Sequence, residues 1–313
     1  MDKKDRTLAK QILLALGYTA QFEYPLTLSE LRRRLPSIEQ EWPRPTMDAI
    51  AQIVSLLEKK KLVVRYKKYV SLVSDERSLQ ELISTRKQRR KSALQKKQEA
   101  EELFVFLQKI PFISGVLITG SVAMQNATKD DDVDFLIITK PGTMWVARPL
   151  VTVFAWLKKK RRSWKKEEKN SWCFNMWLDQ RQLSLPPAQR SMYTAFELLQ
   201  AEWVWADPVV HRQYYTTNIW TRALLPLLYA KSTKKEPLLL PSEEKISSNQ
   251  DWYLFFLFPL LWLNAILYRA QLWYMRPHRT SEKVTKNAAF FHPRDTKLQL
   301  YSNWKKQLLT LVQ

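Results

Sequence analysis

One carboxylate, Asp134, interrupts an otherwise apolar run, Val133-Asp134-Phe135-Leu136-Ile137-Ile138. A short run rich in β-branched and aromatic residues reads as a buried strand. A lone charge inside such a strand is costly unless something pairs with it. Asp132 lies two residues earlier. The two-residue strand period places Asp132 and Asp134 on one face, with Val133 and Phe135 on the other. Carboxylates held side by side repel unless a cation joins them. Hard divalent ions take oxygen ligands, so Mg²⁺, or Mn²⁺ in its place, is the expected partner. Upstream, Val116-Leu117-Ile118-Thr119 reads as a second apolar strand, and Gly120-Ser121-Val122-Ala123 turns out of it. Gly120 lets a triphosphate approach the backbone without a Cβ clash. Ser121 offers a hydroxyl and a backbone N–H to a phosphate oxygen. Read instead as a solvated acidic turn, Asp130-Asp131-Asp132 needs no ligand, but that reading leaves Asp134 unexplained.

These strands belong to a chain of 313 residues, enough for two or three domains with a sizeable core. Four glycines exclude a glycine-rich fibre and a dinucleotide fingerprint, which needs several together. Lys and Arg number 51 against 30 acids, a net charge of +21. That surplus favours polyanionic partners: nucleic acid (RNA or DNA), nucleotide phosphates or an acidic membrane surface. The one cysteine, Cys173, excludes an internal disulfide, and no disulfide-linked partner is expected. Met1-Asp2-Lys3-Lys4-Asp5-Arg6 leads into a mixed helix and not a signal-peptide core, so a cytoplasmic setting is expected.

Three regions are expected. Residues 1–74 read as a winged helix-turn-helix. Leu8, Ile12, Leu13 and Leu16 recur at helical spacing, and Thr27 with Glu30 forms a capping box for a second helix. A third, amphipathic helix starts near Thr46, and two short strands flank Lys67-Lys68. Lys60, Lys61, Arg65, Lys67 and Lys68 favour nucleic-acid contact. The third helix does not, since its middle carries Asp48, Gln52, Ser55 and Glu58. Residues 75–185 hold one long helix over 75–110, the two strands above, an apolar helix over 143–157 with a basic tail from Lys158 to Lys166, and a strand over 172–178. Residues 186–313 read as a helical C-terminal domain with a linker over about 231–250. Trp252 to Tyr268 is uncharged for seventeen residues, the short limit of a membrane span, but its aromatic residues crowd the middle. A buried helix is the favoured reading, and peripheral membrane contact stays open.

Gly-Ser, a gap of ten residues, and Asp-x-Asp at a strand start resemble the DNA polymerase beta-type nucleotidyltransferase superfamily. The resemblance covers about residues 100–180. It implies an α+β nucleotidyltransferase fold, a small mixed sheet with helices. It also implies triphosphate binding by Gly120 and Ser121 and metal binding by Asp132 and Asp134. Active members of that superfamily usually carry a third carboxylate on a neighbouring strand, here Trp172 to Asp179. Asn175 and Asp179 share a face of it by alternation. If Asp179 reaches the site, the catalytic triad is complete. If Asn175 holds the position, no base is present, because an amide cannot accept a proton in that role. Lys140 and Arg148 are candidates to balance the leaving pyrophosphate. The implied activity is transfer of a nucleoside monophosphate from an NTP to RNA, a small molecule or a protein. The alternative is a catalytically degenerate protein that binds nucleic acid or senses nucleotides. The layout also resembles a prokaryotic family with an N-terminal winged helix and a helical C-terminal region. Tyr24-Pro25-Leu26-Thr27, Cys173-Phe174-Asn175 and His292-Pro293-Arg294-Asp295 carry that likeness. Glu197, on the buried side of a helix, needs a partner, and Arg148 is the candidate.

Overall fold

The computed structural model describes residues 2–38, 44–72, 75–161, 169–239, 250–276 and 283–290, with side chains left aside for 250–258 and 283. The first unit runs α1 (Lys3–Ala20), β1 (Leu26–Thr27), α2 (Leu28–Arg34), α3 (Met47–Lys59), β2 (Val64–Tyr66) and β3 (Tyr69–Ser71). Its apolar faces close on one another: Leu8, Ile12, Leu16, Leu31, Ile50, Val54 and Leu57 form one buried cluster. Thr27 and Glu30 make the reciprocal capping bonds that start α2, and Thr46 caps α3. The three strands pair antiparallel in the order β1-β3-β2. Lys67, in the turn between β2 and β3, takes a left-handed φ of 54°. β1 is too short to show a period, and only its pairing with β3 makes it a strand.

The helix expected over 75–110 is two: α4 (Glu76–Glu99) and α5 (Glu101–Lys109). The helix is interrupted at Ala100, which is fully buried with φ −94°, ψ 0°. The bend lets α5 lay Leu103, Phe104 and Leu107 on the main sheet while α4 reaches the N-terminal unit. There Arg86 pairs with Glu30 at 2.6 Å and covers the Tyr24 ring, and Arg89 meets Glu23 at 2.5 Å. Burial alone would raise the Glu30 carboxyl. The Arg86 and Thr27 hydrogen bonds outweigh it and hold Glu30 down at about 2. Part of the basic run on α4 is therefore a strap between two units and not a solvated face.

The main unit continues with β4 (Ile113–Thr119), α6 (Gly120–Ala123), β5 (Val133–Thr139), α7 (Met144–Leu157), β6 (Trp172–Asp179), α8 (Met192–Gln200) and β7 (Glu202–Ala206). It ends with α9 (Pro208–Thr217), α10 (Trp220–Leu224), α11 (Pro226–Ser232), α12 (Gln250–Met275), β8 (Lys283–Val284) and β9 (Ala288–Phe290). Among the described residues, six strands form one mixed sheet in the order β7-β4-β5-β6-β9-β8. Within it β5 and β6 pair in parallel, joined by a crossover through α7, and the other described pairs are antiparallel. Both faces are covered. Ile118, Phe135, Ile137 and Trp177 pack with α5 and α7 residues, and Leu117, Leu136, Ile138, Leu178 and Trp203 pack with α8 and α9 residues and Tyr18 of α1. Burial on both faces is why β5 reads as a continuous apolar run.

The stretch after residue 186 is not only helical. β7 forms one edge of the sheet, and β8 and β9 extend the other. Glu202-Trp203-Val204-Trp205-Ala206 lacks polar alternation because all five residues are buried. The whole is a mixed α/β domain with a small multi-stranded sheet, flanked by helical regions at both ends.

Candidate functional site

The antiparallel register of β4 and β5 sets Thr119 opposite Asp134. Gly120 follows with a left-handed φ of 63°, and a Cβ built there would lie 2.8 Å from Asp134 Oδ2. Glycine is needed at this position on both counts. On the other side, Asn175 Nδ2 donates to Asp134 Oδ1 at 2.5 Å, and Asn175 Oδ1 accepts from the Cys173 thiol at 2.7 Å. A register shift produces this. Asp134 pairs with Cys173 but Leu136 pairs with Met176, so β6 carries one extra residue across that interval. Asp134 is therefore clasped between the Gly120 turn and an amide.

Asp132 stands at the mouth of the same strand. Its Oδ1 accepts from the Ser171 backbone N–H and hydroxyl, both at 2.8 Å. Asp132 and Asp134 are both partly exposed. Asp131 accepts from Thr128 Oγ1 at 2.5 Å and from the Thr128 N–H at 3.1 Å. Burial would raise its carboxyl, but these bonds and one from the Ser121 hydroxyl bring it below its ordinary value. Lys96 of α4 donates to the Lys129 carbonyl at 2.9 Å and to Asn170 Oδ1 at 2.8 Å. Burial pulls its pKa down against the fields of Glu99, Asp131 and Asp132. Lys96 and Ser171 are the site's unforeseen members. Each comes from a segment distant in sequence, and no local pattern marks it.

Several expected members lie elsewhere. Asp179 is not beside Asp134. It ends β6 opposite Thr139, four residues beyond Asn175, or about 13 Å at the usual strand rise. There it is 1% exposed and holds a corner, accepting from Arg181 Nη2 at 2.7 Å and from the Gly142 N–H at 2.7 Å. Lys140 follows β5 at that same far end, where its N–H donates to the Phe112 carbonyl. Arg148 donates to Gln271 at 2.9 Å and lies over the Trp145 and Trp177 rings. Burial pushes its pKa down to about 9. The expected Arg148–Glu197 pair does not form. Glu197 accepts from the Tyr18 hydroxyl at 3.3 Å, and burial pushes its carboxyl up to about 7. His292-Pro293-Arg294-Asp295 lies outside the described residues.

Among the described residues, no three His, Cys, Asp or Glu side chains gather where a metal ion could sit. Asp132 and Asp134 are two hard oxygen donors on one strand, with an amide beside Asp134. That set fits Mg²⁺, which is commonly bound through one or two carboxylates completed by substrate phosphates and water. It does not fit a resident ion caged by protein alone. A second feature lies in the first unit. A cavity of about 350 Å³ opens between the β2–β3 hairpin and α4, lined by Tyr66, Lys67, Lys68, Tyr69, Ile83 and Lys87. No family model, curated protein or solved structure matches this chain.

Proposed function

We propose that the chain binds an NTP with Mg²⁺ at the Gly120 turn, in a nucleotidyltransferase-type fold that lacks the third carboxylate. Its task on this reading is to bind or sense the nucleotide and not to transfer it. The observation that carries it is the clasp on Asp134. Asn175 occupies the place beside it where a third acid would be, and Asp179 is tied to Arg181 at the other end of the strand.

Asp132 and Asp134 would hold the ion together with the nucleotide phosphates, where it supplies positive charge against the phosphate oxygens. The left-handed Gly120 opens the backbone to those phosphates. The Ser121 hydroxyl, near Asp131, is a further donor to those phosphates. An acceptor hydroxyl attacking phosphorus must give up its proton, and Asn175 has no lone pair basic enough to take it. The N-terminal unit has the element order of a winged helix. Its Lys67-Lys68 hairpin and the basic, tyrosine-lined cavity suit nucleic-acid backbone.

The test is equilibrium binding of each labelled NTP with Mg²⁺ or Mn²⁺, run beside label transfer to total RNA, small hydroxyl acceptors and the protein itself. Binding that disappears in Asp134→Asn, with no transfer, is expected. Transfer by the unaltered chain that disappears in Asp132→Asn and Asp134→Asn overturns the sensing role in favour of catalysis. Absence of both binding and transfer overturns the nucleotide reading.

A further inference from the structure

The packing of α7 on α12 leaves a broad apolar face outside. α12 turns Asn264, Tyr268, Gln271 and Met275 inward. Asn264 Oδ1 accepts from the Trp145 N–H at 2.8 Å, Tyr268 meets the Trp145 ring at 4.8 Å, and Gln271 Nε2 donates to the Trp145 carbonyl at 2.9 Å. Met275 is buried. These residues recur every three or four positions, so they form one side of the helix. The opposite side carries Trp262, Ile266 and Trp273, exposed by 62%, 58% and 78%. α7 buries Trp145, Val151 and Ala155 and exposes Val153, Trp156 and Leu157. Scattered exposed apolar residues are ordinary, but three exposed indoles on two helices that pack against each other are not.

The charge around this face decides its partner. Residues 144–161 and 259–276 contain no Asp or Glu. They carry Lys158, Lys159, Lys160 and Arg161 at the end of α7 and Arg269 and Arg276 on or just after α12. Lys158 and Lys160 lean on Glu102 and Glu99 at 2.6 and 3.8 Å. Lys159, Arg269 and Arg276 are exposed. Indole beside Lys and Arg, with no acid on either helix segment, is the pairing that suits the headgroup layer of an anionic bilayer. Two copies of this face would set cation against cation, in a chain with net charge +21. Among the described residues no helix is long and apolar enough to cross a membrane, so contact would be along the surface.

We infer that the exposed face of α7 and α12 docks on an anionic lipid bilayer, with Trp156, Trp262 and Trp273 entering the headgroup region and Lys159, Arg269 and Arg276 meeting lipid phosphates. This inference is independent of nucleotide binding. It is tested with the full chain by flotation with vesicles of phosphatidylcholine alone or mixed with phosphatidylserine, and by quenching of tryptophan fluorescence with brominated lipid. Binding to the mixed vesicles, weakened by salt, is expected. Each Trp→Ser change is expected to cut partitioning about tenfold. Lys159→Glu with Arg269→Glu should abolish the preference for phosphatidylserine. Thermal unfolding of each variant shows that the fold survives, since all these side chains are exposed. No binding to either vesicle overturns the inference, as does binding indifferent to the three Trp changes. Self-association that disappears in those Trp variants, without vesicle binding, would assign the face to a second copy and also overturn it.

Discussion

Replacing Asn175 by Asp probes the clasp directly. Asn175 Nδ2 lies 2.5 Å from Asp134 Oδ1, so Asn175→Asp sets a second carboxylate against the first with almost no change in shape. The hydrogen bond to a charged group is lost, at about 1.5–3 kcal/mol. Two like charges that relax to about 4 Å interact by about 4 kcal/mol at an effective dielectric constant near 20. Asp134 is partly exposed, and solvent screening brings that repulsion to roughly half. The two losses overlap, and the variant should be less stable by about 3 kcal/mol at neutral pH without metal. The pH dependence follows from the pair sharing one proton. Its folded pKa is raised above the unfolded value, so the deficit is small below about pH 4 and grows as pH rises through the folded value. Mg²⁺ offers the other relief, and millimolar ion should restore most of the loss while shifting the unaltered chain little. Urea unfolding at about pH 4 and pH 7.5, with and without Mg²⁺, reads all of this. A variant equal in stability to the parent at neutral pH and indifferent to Mg²⁺ would show that the two side chains do not face one another. Asp134 would then not be clasped by Asn175.

Gly120→Ala forces an L side chain into a left-handed backbone and a Cβ against Asp134 Oδ2. A loss of about 2 kcal/mol and weaker NTP binding are expected, and an unchanged melting temperature with unchanged binding would contradict the turn geometry. Glu197 titrates near 7 because it is buried. The fold binds its proton more tightly than the unfolded chain, so stability should fall as pH rises from about 4.5 to above 7, by about 3 kcal/mol at most. Glu197→Gln should flatten that slope in urea unfolding at successive pH values, and an unaltered slope would mean that another group is responsible.

Some features were legible because their causes are local. The capping box of Thr27 and Glu30, the start of α3 at Thr46 and the apolar period of α7 depend on residues within a few positions of each other. The β4–turn–β5 unit was legible for the same reason, with Gly120 marking the turn. β1 and β7 were not. A two-residue strand has no period, and a strand buried on both faces shows no alternation. The division of α4 from α5 was hidden too, because Ala100 is a good helix former and only the packing of both segments bends the chain there.

From residue order alone came the basic character of the chain, the two carboxylates near Gly120 and two candidates, Asn175 and Asp179, for the place beside them. Tertiary structure chose between the candidates. A one-residue slip in the pairing of β6 with β5 turns the amide of Asn175 onto Asp134, while Asp179, at the other end of β6, is held by Arg181. Strand register is a property of two segments at once, and neither segment's sequence contains the slip. The same holds for the exposed indoles, whose side of the helix is settled by what α7 and α12 bury against each other.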